Sequence, residues 1–234
     1  MSAGPFGADP EVVAAWVAGW AASRGLGPPA RDGEGHFVEV GLPTQRARYV
    51  FPTITAAELR WRAEAIDTPW VYLKVCLPAE ALAGALPAGW AIQPPRAMMT
   101  TRLAGVSRIS SLPSGYHVSL HEEGAALVAS IGNAIGQVAA SGRLVGDGRQ
   151  AVFDQIATDE AHRRRGLGRC VMAVLTGAAL DRRASHGVLV ATEAGRGLYA
   201  RLGWQVHAAY TGAVIPGDES GVASTSSAAH LNQR

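Results

Sequence analysis

The 234-residue sequence predicts a mixed α/β fold, with a central mixed sheet flanked by helices. Three observations carry this expectation. Residues 116–158 alternate short apolar runs with turn signals, as a meander of strands does. The glycine loop Arg163-Arg164-Arg165-Gly166-Leu167-Gly168 then opens directly into an apolar helix. A strand, a second short helix and a last strand follow it.

The first helix signal is Asp9-Pro10-Glu11. Asp9 can cap, Pro10 fills the first helical position and Glu11 suits the positive first turn. This helix is expected to run to about Ser23, with Trp16 and Trp20 on one face. Residues 25–35 read as a Gly/Pro-rich loop. Short strands are expected at 37–40 and 49–51, a helix at 56–65 and a strand at 71–77. Pro78 opens a short helix ending before Pro87, residues 93–96 read as ordered loop, and 98–103 as a strand. The meander comprises 116–121, a turn at Glu122-Glu123-Gly124, then 125–131, 136–143 and 151–158, with Asp147-Gly148 as the last turn. The loop helix spans about 167–183, a strand 187–191, a helix around 198–202 stopped by Gly203, and a last strand or pair of strands 205–215. No repeat is visible along the chain. Residues from Gly217 onward read as a Ser/Gly/Ala-rich tail, expected to be mobile.

A net charge of +2 gives no strong overall preference for nucleic acid, and the short run Arg163–Arg165 is too small a basic patch to supply one. Apolar residues make up 48% of the chain, yet no run is long enough to span a membrane and no secretory signal is visible, so a cytoplasmic protein is expected. Cys76 and Cys170 both lie in apolar surroundings and read as buried free thiols. His117 and His121 share a strand face without a further ligand set, so no metal is expected. Five of the six tryptophans precede residue 91, and most are expected in the core.

The glycine loop suggests diphosphate chemistry. Gly166 and Gly168 allow close backbone approach, and the N–H groups from Arg164 to Arg169 can line one concavity at the positive end of the helix starting near Leu167. Arg163, Arg164, Arg165 and Arg169 cannot all face a ligand, so one or two are expected on the phosphates. The sequence lacks the Gly-Lys-Ser/Thr ending of a P-loop and the three-glycine dinucleotide fingerprint.

Together with Ile156-Ala157-Thr158 before it and Thr192-Glu193-Ala194 with Leu198-Tyr199-Ala200-Arg201-Leu202-Gly203-Trp204 after it, this loop resembles the GCN5-related N-acetyltransferase (GNAT) superfamily. The resemblance covers roughly residues 116–215. It implies a sheet splayed between two parallel strands and acetyl-CoA as co-substrate. Ile156, Ala157 and Thr158 would then offer free strand groups to the pantetheine arm, with Thr192 a further contact, and Gly166, Leu167, Gly168 and the arginines would hold the phosphates. Tyr199 resembles the tyrosine that lies near the coenzyme sulfur, where it could protonate the thiolate; packing is the competing role. Asp154 is two residues before Ile156, hence expected on the face of Val152 and Ile156. It is the candidate base or amine-binding group, a salt-bridged aspartate being the alternative. Glu122, Glu123 and Glu193 are candidate acceptor contacts.

Residues 1–110 are expected to form an amino-terminal extension and the first part of the acyltransferase fold, supplying acceptor-site elements. Residues 111–216 would form the coenzyme-binding core and 217–234 the tail. The length and extended front also resemble small-amine acetyltransferases, including the aminoglycoside 2'-N-acetyltransferases acting on kasugamycin-like antibiotics. A small-molecule amine is thus the expected partner. Another amine metabolite, a peptide N-terminus and a non-catalytic acetyl-CoA sensor remain open, as does a homodimer.

Overall fold

The computed structural model describes residues 7–103, 112–146 and 148–217. Asp147 of the expected last turn and tail residues 218–234 lie outside the described residues. The first half of the chain contains α1 (Pro10–Ala22), β1 (Ala30–Asp32), β2 (Gly35–Leu42), β3 (Gln45–Phe51), α2 (Ala56–Ala65), β4 (Val71–Val75), α3 (Ala79–Ala85), β5 (Ala91–Ile92) and β6 (Arg96–Arg102). The second contains β7 (Tyr116–Glu123), β8 (Ala126–Asn133), β9 (Val138–Val145), β10 (Gln150–Thr158), a 3-10 turn at Glu160–His162, α4 (Leu167–Asp181), β11 (His186–Thr192), α5 (Glu193–Arg201) and β12 (Gln205–Val214). The expected mixed α/β architecture is present: one mixed sheet runs β1-β2-β3-β4-β12-β6-β11-β10-β9-β8-β7, with β5 paired to β12.

Although no repeat is visible in the residues, the topology repeats. In the second half an antiparallel pair, β9 and β10, is followed by α4, by β11 parallel to β10, and by α5. In the first half the antiparallel pair β2 and β3 is followed by α2, by β4 parallel to β3, and by α3. The strands closing each half are exchanged: β6 pairs along the whole of β11, and β12 pairs with β4. Strand order and direction depend on where apolar faces and crossovers fall, so the same arrangement can arise from unlike residues.

Helices α1 and α2 begin where local capping dictates. Asp9 accepts from the Glu11 N–H, with Pro10 at the first helical position. Thr55 and Glu58 form a capping box at α2. Helix α1 buries Val13, Trp16, Val17 and Trp20 on one sheet face against Val38, Val50, Met98, Val152, Val188 and Tyr210. Helix α4 covers the other face with Val171, Met172 and Leu175.

The approach of α1 to the sheet depends on Gly19, where an added Cβ would stand 2.3 Å from Val152 Cγ2. Gly19→Val is expected to destabilise the protein by about 3 kcal/mol, because neither the helix backbone nor the central strand can yield cheaply. Urea denaturation checks this, and an unchanged midpoint would count against close packing here.

Several expectations change in the folded chain. The segment read as loop at 25–35 contains β1, an edge strand whose Ala-Arg-Asp sequence has no apolar alternation and is ordered by pairing with β2. The 93–96 segment ends in β6 rather than remaining loop, and β7 continues through Glu122 and Glu123 before turning at Gly124. Trp16, Trp20 and Trp204 are core residues, whereas Trp61 is 62% exposed. Both cysteines are buried and free, as expected.

Candidate active site

The parallel pairing of β10 with β11 covers only Gln150–Val152 against His186–Val188. Beyond it, β10 stays paired with β9 through Ala157 and Thr158, and β11 with β6 through Thr192. The facing edges of residues 153–158 and 189–192 therefore diverge, as the splay implied by the resemblance would have them. A bulge lies in this stretch: the register shifts between Asp154 and Ala157, and Gln155 takes φ 52°. The bulge overturns one expectation. Val152 and Asp154 face α1, but Ile156 turns to the opposite face, where an added Cβ on Gly142 would meet its Cδ1 together with Val171 and Leu175 of α4. Simple two-residue alternation fails across an inserted residue.

At the end of β10, Asp159 caps the 3-10 turn through the Ala161 N–H. The chain then reaches Gly166 at φ 80°, the N-cap of α4, which offers no side chain to the helix. The first intrahelical bond to this cap is Cys170 N–H to the Gly166 carbonyl. The amides of Leu167, Gly168 and Arg169 thus remain as first-turn donors, with no acidic residue in that turn. An added Cβ at Gly166 would meet nothing, and one at Gly168 would stand 3.2 Å from Leu198 Cδ2 and 3.5 Å from Thr158 Oγ1. The loop is accordingly an open cradle of amides beside α5 and the splay, and it fits a diphosphate.

The four arginines divide by their partners. Arg163 lies 3.5 Å from Glu160, and Arg165 reaches the Tyr116 hydroxyl at 3.3 Å and the Ala161 carbonyl at 3.5 Å. Arg164, at φ 61°, and Arg169 are exposed and make no ion pair among the described residues.

The other half has no such cradle. Parallel pairing of β3 with β4 is continuous from Ala47/Val71 to Phe51/Val75, so there is no splay. The Glu58 carboxylate of the capping box occupies the start of α2, supplying negative charge where a phosphate would sit.

On α5, Thr192 caps the helix by accepting from the Gly195 N–H at 3.2 Å. Tyr199 is buried, its ring 6.3 Å from that of Trp204. Burial first, and then the Asp154 charge, push its hydroxyl up to about 12. The structure thus brings Tyr199 within electrostatic reach of Asp154 from the opposite face of the sheet. Asp154 is itself engaged by α1: it accepts from Ser23 Oγ at 2.6 Å and is paired with Arg24. Arg143 donates to the Ser23 carbonyl at 2.9 Å, tying the same helix end to β9.

Glu122 pairs with Arg182 at 2.5 Å and Glu123 with Arg143 at 2.6 Å, both at the far end of the β7–β8 hairpin. Glu193 is exposed in the first turn of α5. Ser23, Arg24, Trp20, Arg48 and Lys74 were not singled out from the sequence as site residues. Trp20 carried the only signal, its position on the apolar face of α1. Among the described residues no group of three or more His, Cys, Asp or Glu side chains could hold a metal ion.

Residues 122–206 match the family model of the acetyltransferase (GNAT) domain. Over nearly its whole length the chain is also similar to solved structures of that fold. One is a GCN5-related N-acetyltransferase from Kribbella flavida, at 18% identity and TM-score 0.62, covering 90% of this chain and 96% of that one. A second, from Sphaerobacter thermophilus, shows 12% identity and TM-score 0.58, covering 93% and 98%. A tandem GNAT protein from the clavulanic acid biosynthesis pathway shows 15% identity and TM-score 0.55, covering 89% and 96%. Residues 122–206 are therefore similar to a GNAT acetyltransferase domain, and the chain has the fold that these solved structures share. No curated protein matches the chain.

Proposed function

We propose that the protein transfers the acetyl group of acetyl-CoA to the primary amine of a small molecule by direct attack, without an acyl-enzyme. The observation that supports this best is the open first-turn amides of α4 beside the diverging edges of β10, which carries Asp154, and β11, which leads into the helix of Tyr199. The amides of Leu167, Gly168 and Arg169 bind the diphosphate, helped by Arg164 and Arg169, the two loop arginines with neither an ion pair nor a side-chain hydrogen bond among the described residues. Ile156, Ala157 and Thr158 line the strand edge for the pantetheine amides, with Thr192 at the end of the facing strand. Acetyl-CoA supplies the activated thioester carbonyl.

The neutral amine forms the new C–N bond as the C–S bond breaks; its proton leaves to solvent, and the sulfur departs as thiolate. Tyr199 donates a hydrogen bond to that sulfur. A hydroxyl at about 12 lies roughly 3.5 units above an ordinary thiol, so complete proton transfer to the thiolate is uphill by about 5 kcal/mol. Stabilisation through the hydrogen bond is therefore favoured over complete transfer. Asp154, already held by Ser23 and Arg24, accepts an N–H of the amine and orients its lone pair. Asp154→Asn is expected to raise the acceptor KM about tenfold while leaving coenzyme affinity unchanged, because an amide presents only one acceptor oxygen and loses the charge. Steady-state kinetics with both substrates varied measures this, and an unchanged acceptor KM would remove Asp154 from the acceptor site.

An aminoglycoside with a kasugamycin-like 2'-amine is one acceptor within this reading, supported by the chain's length and extended front. Another amine metabolite or a peptide N-terminus is the alternative. A cytoplasmic reaction is part of this reading, and two buried free thiols suit a reducing compartment; among the described residues no helix is long and apolar enough to cross a membrane. Free-thiol release from acetyl-CoA with aminoglycosides, amino acids, polyamines and short peptides tests the proposal. Release dependent on one of these amines supports it; tight coenzyme binding with no release supports a sensor instead.

A further inference from the structure

The sheet face under α1 carries more positive charge than its one carboxylate can balance. Arg24 is taken by Asp154. Arg48 on β3, Lys74 on β4 and Arg96 on β6 have no ion pair among the described residues, and the Arg48 Nε is buried without a hydrogen-bond partner. Their positions converge. Arg48 stacks 3.9 Å over the Trp20 ring, and Arg24 lies 4.6 Å over the same ring. Lys74 stands 4.9 Å from the Tyr72 ring and lies across Gly212 of β12, where an added Cβ would be 2.3 Å from Nζ. Arg96 is exposed at the edge of the group, paired in register with Thr192 of β11 on one side and Tyr210 of β12 on the other. Thr192 ends the strand that borders the splay, so these cations sit at the same end of the sheet as the coenzyme cradle.

Such an arrangement is costly in an empty protein. Stacking on aromatic rings offsets part of the desolvation of these cations but leaves the Arg48 Nε–H without a partner. Burial first, then Arg48 and Arg96, lower Lys74 to about 7, and burial similarly lowers Arg48 to about 10. The groups facing Lys74 are Arg48 of β3, Tyr72 of its own strand, Tyr210 and Gly212 of β12 and Arg96 of β6, with Trp20 and Arg24 of α1 beyond Arg48. None of them is a carboxylate.

We propose that Arg48, Lys74 and Arg96 form the acid-binding half of the acceptor site, and that the acceptor is an amine bearing a carboxylate or phosphate rather than a polycation. This rests on the acetyltransferase reading. The amine would lie at Asp154 in the splay. Arg96 on β6 stands two strands from β10 and Lys74 on β4 four strands, so the acid group would lie at least about 10 Å from Asp154, and amine and acid stand several bonds apart rather than on one carbon. Pairing a compact anion with three cations is a common use of clustered donors, and it discriminates against polycations by like-charge repulsion.

The test uses inorganic phosphate as probe, titrated calorimetrically into wild type and Lys74→Met saturated with coenzyme A, so that the loop is already filled. Phosphate is expected to bind wild type at least about tenfold more tightly than the variant, as losing one charge-assisted contact implies. Binding at pH 8 should also take up a proton, because an anion beside Lys74 restores its charge. Arg96→Ala, at the exposed edge, is the second variant should Lys74→Met not fold. Equal phosphate affinity in wild type and variants overturns the inference even if the coenzyme binds. Lys74-dependent phosphate binding in a protein that fails to bind coenzyme A keeps the anion site and rejects the acetyltransferase reading. With turnover established, 6-aminohexanoate should exceed 6-aminohexanamide in kcat/KM by about tenfold, and Lys74→Met should erase that difference; a preference for the amide or for a polyamine overturns the inference.

Discussion

Gly166→Val is expected to raise the dissociation constant for acetyl-CoA by about a hundredfold, the largest single effect in the coenzyme site. Gly166 sits at φ 80°, where a β-branched residue is strained by about 1–3 kcal/mol. The chain relieves that strain by rotating the peptide that leads into α4. The rotation misdirects the free amides of Leu167, Gly168 and Arg169, whose alignment is what the cradle provides. Each charge-assisted bond to phosphate is worth about 1.5–3 kcal/mol, so losing one or two of them gives the stated change. The added side chain itself meets open space in the free protein, so the fold should survive with only a modest drop in Tm. Calorimetric titration of acetyl-CoA decides the matter, and an unchanged affinity with normal folding would remove the loop as the diphosphate site.

Tyr199→Phe should lower kcat by about a hundredfold with the KM for acetyl-CoA nearly unchanged. The ring is buried against Trp204 and is retained in phenylalanine, so packing is conserved. What disappears is one donor aimed at a position where negative charge develops on sulfur, an interaction worth about 3 kcal/mol in a water-poor site. A hydroxyl at about 12 stays protonated through the working range, so wild-type kcat should show no ionisation of Tyr199 between pH 6 and 9. A kcat within a factor of two of wild type would reduce Tyr199 to a packing residue.

The elements that could be read along the chain are those whose cause is local. The bounds of α1 and α2 follow from Asp9-Pro10 and from the helical pattern of 56–65, and the signals lie within four residues of the boundary. The start of α4 follows from Gly166, because a left-handed cap favours a residue without a Cβ. The site was less legible. Tyr199 and Asp154 could be named from the resemblance, but their mutual influence crosses the sheet through the splay. Ile156 departs from the two-residue alternation that its sequence predicts because the bulge at Gln155 is a property of β10 against β9. The ion pairs of Glu122 and Glu123 join residues 60 and 20 positions apart, beyond any local pattern.

By itself, the sequence determined the mixed α/β class, the glycine cradle and the helices around it, because caps, glycine conformations and apolar periodicity act over a few residues. Tertiary structure decided the repeated topology with its exchanged strands, the single splay, and the meeting of Arg48, Lys74 and Arg96 beneath α1. Strand order and register bring distant residues together, and the energy of a charge depends on what surrounds it in space.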